Sequence, residues 1–121
     1  MKANEFRVTN FVNYNGEMFP IIFIGLDFVV LIRKDQSFTV KLDRIKPIQV
    51  TEDILKYFGA KYKNEYWFEF HTYGIIKHTT FIEFYSSVEG DFICNSVKYL
   101  HELQNLYFAL TGSELVFSTE R

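Results

Sequence analysis

Lysines alternate with aromatic residues through residues 56–67, KYFGAKYKNEYW. Nucleic-acid bases stack on exposed rings while lysines meet phosphates, so this mixture is typical of single-strand binding. Exposed Tyr and Trp also dominate protein interfaces, and the structural alternative is a loop anchored by core aromatics. If the segment is functional, we predict a partner-binding surface formed by Tyr57, Lys61, Tyr62, Lys63, Tyr66 and Trp67.

The histidines and the one cysteine do not predict a metal site or a nucleophile. Zinc ligands usually come in pairs roughly two to five residues apart, and no His or Cys pair here has that spacing. His71 and His78 could meet only across a predicted hairpin. Cys94 and His101 are two helical turns apart, too far for a hydrogen bond within one helix. We therefore predict no metal and no Cys–His catalysis.

Other catalytic patterns are equally weak. Glu69 and Glu83 lie on strands predicted to be adjacent, but both alternate with aromatics, which is typical of a solvated sheet face. The chain has no phosphate-binding glycine loop, no dinucleotide fingerprint and no zinc-protease motif. The sequence predicts a non-enzymatic protein with no catalytic residue and no cofactor.

A long helix is predicted over residues 96–111. Asn95 and Ser96 suit its start, and Gly112 suits a left-handed residue after its end. Its apolar residues recur every three or four positions, so the helix must pack on a sheet. These residues are Val97, Leu100, Leu103, Tyr107 and Leu110.

His101, Gln104 and Asn105 form a polar strip on the same helix. Side-chain amides can satisfy backbone groups of a neighbouring strand, so a structural role is the default interpretation. A functional role for the strip stays open.

The rest of the chain predicts an α+β fold. Turn signals divide residues 6–50 into four short strands, typical of an SH3-like β-meander, barrel or strongly bent sheet. Thr51 begins a short helix at 51–59. Residues 65–94 then supply a β-hairpin, whose second strand covers 75–85, and a last strand at 91–94.

Composition narrows the function classes. The 121 residues fit one domain, 1–121, and 19% of them are aromatic, which favours some exposed rings. A net charge of −2 argues against duplex DNA binding. A single cysteine suits a reducing cytoplasm, and no signal peptide or membrane span is apparent because Pro20, Gly25 and Asp27 interrupt the longest apolar stretch. We predict a cytoplasmic protein.

Three blocks resemble a family of small, mostly uncharacterised proteins encoded by phages and prophages of Bacteroidota. They are FVNYNGEMF at 11–19, DRIKPIQVTEDILKYFG at 43–59 and VKYLHELQNLYFALTGSEL at 97–115. The third block is the most specific, and the stretch 62–93 shows little to align. The resemblance implies a phage or mobile-element gene expressed in a bacterial cytoplasm, and it carries no activity onto particular residues.

The context that the resemblance implies suggests a stoichiometric binder of host machinery. Its most concrete form is an anti-CRISPR inhibitor of an RNA-guided nuclease, with a type VI effector or its guide-RNA complex as the partner. The alternative is a small RNA-binding or single-stranded-DNA-binding protein that uses the same lysine–aromatic segment.

Overall fold

The computed structural model describes residues 5–63, 67–87 and 90–116. The chain divides into two compact units, the first made of Met1–Ile48 with Leu100–Glu114 and the second of Gln49–Tyr99 with Leu115–Arg121. Each unit contains one antiparallel sheet, and the last strand of the chain is followed by a C-terminal helix. The α+β class is therefore confirmed, while the prediction of one domain stays a prediction.

The first unit contains a four-stranded meander in sequential order. Asn15 and Gly16 take positive φ values of 54° and 83°, as their turn signal predicts. The first and last strands do not pair with each other, so the sheet is open and an SH3-like barrel is not confirmed. The strands are β1 (Phe11–Tyr14), β2 (Glu17–Ile24), β3 (Phe28–Arg33) and β4 (Gln36–Lys41).

The first strand starts later than its apolar residues suggest. Residues 7–10 form a turn in which the Asn10 side chain accepts a hydrogen bond from Arg7 N at 2.7 Å. Thr9 has a φ of 82°, which an extended strand cannot contain. The prediction of a strand from residue 6 was wrong because a local side-chain hydrogen bond competes with the ladder.

Helix α2 (Leu100–Thr111) ends as predicted but begins four residues late. Residues 92–97 extend the sheet of the second unit instead, and Ser96 has a φ of 66° rather than acting as a cap. Gly112 closes the helix with a φ of 75°. Within the described residues no helix is long and apolar enough to cross a membrane.

The polar strip on α2 has the structural role expected for it: its side-chain amides hydrogen-bond neighbouring parts of the first unit. Gln104 is 1% exposed, accepts a hydrogen bond from Phe11 N at 2.8 Å and donates to Thr9 O at 3.1 Å. Asn105 Oδ1 accepts from Arg7 Nε and from Asn10 Nδ2, each at 2.9 Å. These amides therefore tie the helix to the backbone that leads into β1.

The same network continues to the end of the first unit. The Arg7 guanidinium hydrogen-bonds both carboxylate oxygens of Glu114. That hydrogen bond holds the pKa of Glu114 below its ordinary value. Arg7 also lies over the ring of Phe108, 4.5 Å from its centroid, so one side chain joins the charged and the apolar contacts of α2.

His101, beside Gln104, should make stability depend on pH. Its ring is buried against Phe6 at 4.6 Å, and burial lowers its pKa although Glu102 and Glu5 oppose the shift. In the unfolded chain the His101 imidazole is protonated near pH 6.5, whereas in the folded chain it is protonated only at a lower pH.

We therefore expect the free energy of unfolding to be highest above about pH 6.5 and to fall below it, by at most about 1.4 kcal/mol per pH unit for one proton. Urea denaturation between about pH 5.5 and 7.5 measures this slope. His101→Leu should flatten this slope. An unchanged slope in His101→Leu would contradict the assignment.

The second unit is a five-stranded meander that follows a short helix. The lysine–aromatic segment adds an unpredicted strand, β5 (Ala60–Tyr62). The predicted strand over 75–85 is two strands, because His78 N donates to Phe81 O at 2.9 Å and turns the chain. The elements are α1 (Glu52–Tyr57), β5 (Ala60–Tyr62), β6 (Trp67–Phe70), β7 (Tyr73–Lys77), β8 (Ile82–Tyr85) and β9 (Phe92–Val97).

Thr51 caps α1 as predicted. Its hydroxyl oxygen accepts a hydrogen bond from Ile54 N at 3.2 Å. Thr51→Ala should lower the free energy of unfolding by about 1 kcal/mol, the usual cost of a lost N-cap. Urea denaturation measures it, with Thr72→Ala in an exposed turn as the control. Equal stability of the two variants would show that the cap contributes little.

Candidate protein-binding face of the five-stranded sheet

The two faces of the five-stranded sheet differ in burial. Residues directly opposite each other on paired strands share a face, so the register assigns each side chain to one side. One face is mostly buried, with Tyr62 exposed at its edge, and carries Ala60, Phe68, Phe70, Ile75, Ile82 and Phe84. The other face carries Gly74 and seven half-buried or exposed side chains: Lys61, Trp67, Glu69, Ile76, Glu83, Tyr85 and Phe92. With Lys63, which follows β5 and pairs with Glu69, these residues form the aromatic face.

Three rings form a continuous row on the aromatic face. Trp67 and Tyr85 have ring centroids 4.9 Å apart, and Tyr85 and Phe92 are 5.5 Å apart, both pairs edge to face. Trp67 and Tyr85 stand on β6 and β8, two strand spacings or roughly 10 Å apart. Gly74 lies between these strands, opposite Tyr85, and has no side chain to separate the rings. The row therefore crosses four strands.

Charges on the aromatic face are balanced. Lys63 Nζ lies 3.7 Å from Glu69 Oε1, and the Tyr85 hydroxyl donates to Glu83 Oε1 at 3.1 Å. Burial, followed by the Glu83 hydrogen bond and charge, raises the pKa of Tyr85 above its ordinary value. With Lys61, the face holds two lysines and two glutamates.

Glu69 and Glu83 are not neighbours, contrary to prediction. Strand β7 lies between β6 and β8, because the chain turns at residues 78–81 and the predicted hairpin becomes three strands. Each carboxylate has its own partner, Lys63 for Glu69 and Tyr85 for Glu83. The pair therefore does not form an acid–base site.

Three residues of the sequence-predicted surface belong to the aromatic face. Lys61, on the edge strand β5, lies opposite Glu69 of β6, and Lys63 forms an ion pair with the same glutamate. Trp67 begins the aromatic row. The structure thus brings Lys61, Lys63 and Trp67 together.

The other predicted residues do not join this group. Tyr62 lies on the opposite face of β5, 57% exposed, with its ring 5.5 Å from that of Phe68. Tyr57 is on α1 and is 45% exposed. Tyr66 lies outside the described residues. Tyr62 separates from Lys61 because consecutive strand residues point to opposite faces.

Sequence reasoning missed Tyr85 and Phe92. Consecutive strand residues point to opposite faces, so the sequence of β8 already predicts that Tyr85 lies on the face opposite buried Phe84. The sequence does not predict that Trp67 and Phe92 are its neighbours, because they come close to Tyr85 only through the strand order β6-β7-β8-β9.

The histidines occupy separate places. His71 is in the turn before β7 with its Nε2 3.1 Å from Phe58 O, and His78 follows β7 and stacks on Phe81 at 4.4 Å. Because the whole of β7, about 16 Å of extended chain, separates them, they do not meet across the hairpin. No group of three or more His, Cys, Asp or Glu in the described part of the chain could hold a metal ion.

Comparison of the chain with models of known protein families, with curated proteins and with solved structures finds no match. The resemblance to phage and prophage proteins therefore stays a prediction.

Proposed function

We propose that this protein is a non-enzymatic binding protein that docks another protein on the aromatic face of its five-stranded sheet. The observation that carries the proposal is the row of Trp67, Tyr85 and Phe92 on a charge-balanced surface. In its most concrete form the protein is a phage-encoded inhibitor of a CRISPR effector nuclease, acting in the cytoplasm of a bacterial host.

Aromatic rows of this kind suit protein recognition. Phe92 is 53% exposed and Tyr85 presents a hydroxyl, so the row combines apolar area with a polar contact. The edge-to-face ring contacts hold the side chains in place before binding, which reduces the entropy lost on association. Trp and Tyr are the residue types that most often dominate binding energy in interfaces.

The charge pattern favours a protein partner over RNA. A groove that follows a phosphate backbone needs an excess of Lys and Arg, whereas Lys61 and Lys63 are offset by Glu69 and Glu83 on the same face. The net charge of −2 has the same sign as RNA. Affinity for the partner should therefore change little with salt concentration.

The CRISPR part of the proposal depends on a different kind of support. It follows from the resemblance of residues 11–19, 43–59 and 97–115 to phage and prophage proteins of Bacteroidota. A phage protein that binds a host nuclease stoichiometrically needs a rigid interface and no catalytic group, and the aromatic face suits such a role.

An affinity pull-down with two matched variants tests both parts. Phe92 and Phe23 are each 53% exposed, each contacts one neighbouring aromatic ring, and they stand on different sheets. Tagged wild type, Phe92→Ser and Phe23→Ser are incubated with lysate of a Bacteroidota host that carries a type VI system, with and without RNase.

The expected result is a type VI nuclease captured by wild type and by Phe23→Ser, with and without RNase, and lost with Phe92→Ser. Capture that RNase abolishes would instead support RNA binding. Capture that survives in Phe92→Ser would show that the aromatic face is not the interface. If no nuclease is captured in any sample, the CRISPR form of the proposal is wrong.

A further inference from the structure

A small cleft opens beside the aromatic face at the edge strand β5. It has a volume of about 230 Å³ and is lined by Gly59, Lys61, Glu69 and His71. Lys61 and Glu69 lie opposite each other in the same cross-strand row as Tyr85. The cleft therefore continues the surface that carries the aromatic rings.

Backbone conformation shapes the wall formed by Gly59 and His71. Gly59 has a φ of 100°, a value that favours glycine, and a Cβ there would come within 3.5 Å of the His71 ring. His71 itself has a φ of 58°, and its Nε2 lies 3.1 Å from Phe58 O. This contact fixes the imidazole ring against the glycine.

The charged groups at the cleft, Lys61 and Glu69 in its lining and Lys63 beside it, sum to one positive charge. Glu69 lies 3.7 Å from Lys63, so its carboxylate is offset by that lysine. Lys61 is exposed and forms no ion pair with any residue that the structure describes. An ammonium in this position attracts an anion, with the imidazole of His71 as a second polar wall.

We propose that this cleft binds one carboxylate, from an Asp or Glu side chain of the protein that docks on the aromatic face. The inference rests on the proposed function and names the partner's chemistry: an acidic residue placed beside apolar side chains. The ammonium of Lys61 pairs with the carboxylate while the partner's apolar residues cover Tyr85 and Phe92.

A single carboxylate fits better than a phosphate chain. The cleft is small, and Glu69 and Glu83 stand on the same face. An extended polyanion would pass close to both carboxylates, whereas one side-chain carboxylate can pair with Lys61 and approach only Glu69, whose charge Lys63 offsets.

Titration of the ¹⁵N-labelled protein with N-acetyl-glutamate amide tests the cleft without knowledge of the partner. We expect saturable shifts of the amide resonances of Gly59, Lys61 and His71. N-acetyl-glutamine amide, which has the same shape without the charge, should not cause them. Lys61→Met should weaken binding about fivefold, the upper range for an exposed ion pair, and Lys61→Arg should restore it. Lys34→Met, at an exposed lysine in the turn after β3, is the matched control.

The proposal is overturned if the glutamate probe causes no saturable shift, if the glutamine probe acts equally, or if Lys61→Met binds like wild type. Shifts of the same amides by oligouridine at lower concentration would assign the cleft to phosphate instead. A failed titration leaves the Phe92→Ser pull-down intact as a test of the aromatic face, so the two proposals can fail separately.

Discussion

Phe92→Ser is expected to weaken binding of the captured partner at least about 30-fold. Aromatic residues that act as interface hot spots contribute about 2 kcal/mol or more when truncated, and about 1.4 kcal/mol is tenfold in affinity. Phe92 ends the aromatic row and is 53% exposed, so its ring is available to a partner. Isothermal titration calorimetry with the purified partner measures the dissociation constant.

Phe23→Ser provides the control, because Phe23 has the same exposed fraction and stacks on Phe28 in the sheet of the first unit. Its affinity should stay within about twofold of wild type, the range of a surface substitution away from an interface. Circular dichroism of both variants verifies folding. If both substitutions weaken binding equally, the interface is not confined to the aromatic face.

Gln104→Leu should lower the free energy of unfolding by about 1–3 kcal/mol. The substitution preserves volume but removes the acceptor of Phe11 N–H and the donor to Thr9 O in a site that is 1% exposed. A buried backbone group that loses such a hydrogen bond costs about 1–3 kcal/mol. The N–H of the half-buried Phe11 is the group affected most, because Thr9 is exposed to water. Typical domains are stable by only about 5–15 kcal/mol, so the loss is large.

Urea denaturation of wild type, Gln104→Leu and Gln36→Leu measures this effect. Gln36 begins β4 and is exposed, so the same substitution there should change stability by less than about 0.5 kcal/mol. A loss below about 1 kcal/mol in Gln104→Leu would mean that the backbone groups of Phe11 and Thr9 find other partners. The structural role of the polar strip would then be wrong.

Part of the candidate site was predictable from the sequence. Trp67, Lys61 and Lys63 stand out by residue type and spacing, and the structure places them on one face. Tyr62 seemed equivalent to them, yet it points to the other side because β5 is a strand rather than a loop. Successive side chains of a strand point to opposite faces, so residues that are clustered in the sequence are divided between the two faces of the sheet.

Elements that depend on local chemistry were predictable. The Asn15-Gly16 turn, the Thr51 cap and the end of α2 at Gly112 follow from backbone preferences and nearby hydrogen bonds. The start of α2 was not, because residues 92–97 complete a sheet edge by pairing with β8. Long-range pairing there outweighs the capping preference of Ser96.

The sequence by itself determined the α+β class, most strand positions in the first unit, and the residue types of the proposed binding surface. Only the tertiary structure decided which residues share that surface. Trp67, Tyr85 and Phe92 are far apart along the chain and meet because β7 places Gly74 between two ring-bearing strands. The physical reason is that turn and cap preferences act over a few residues, whereas strand order is set by burying Phe68, Phe70 and Phe84 on one face.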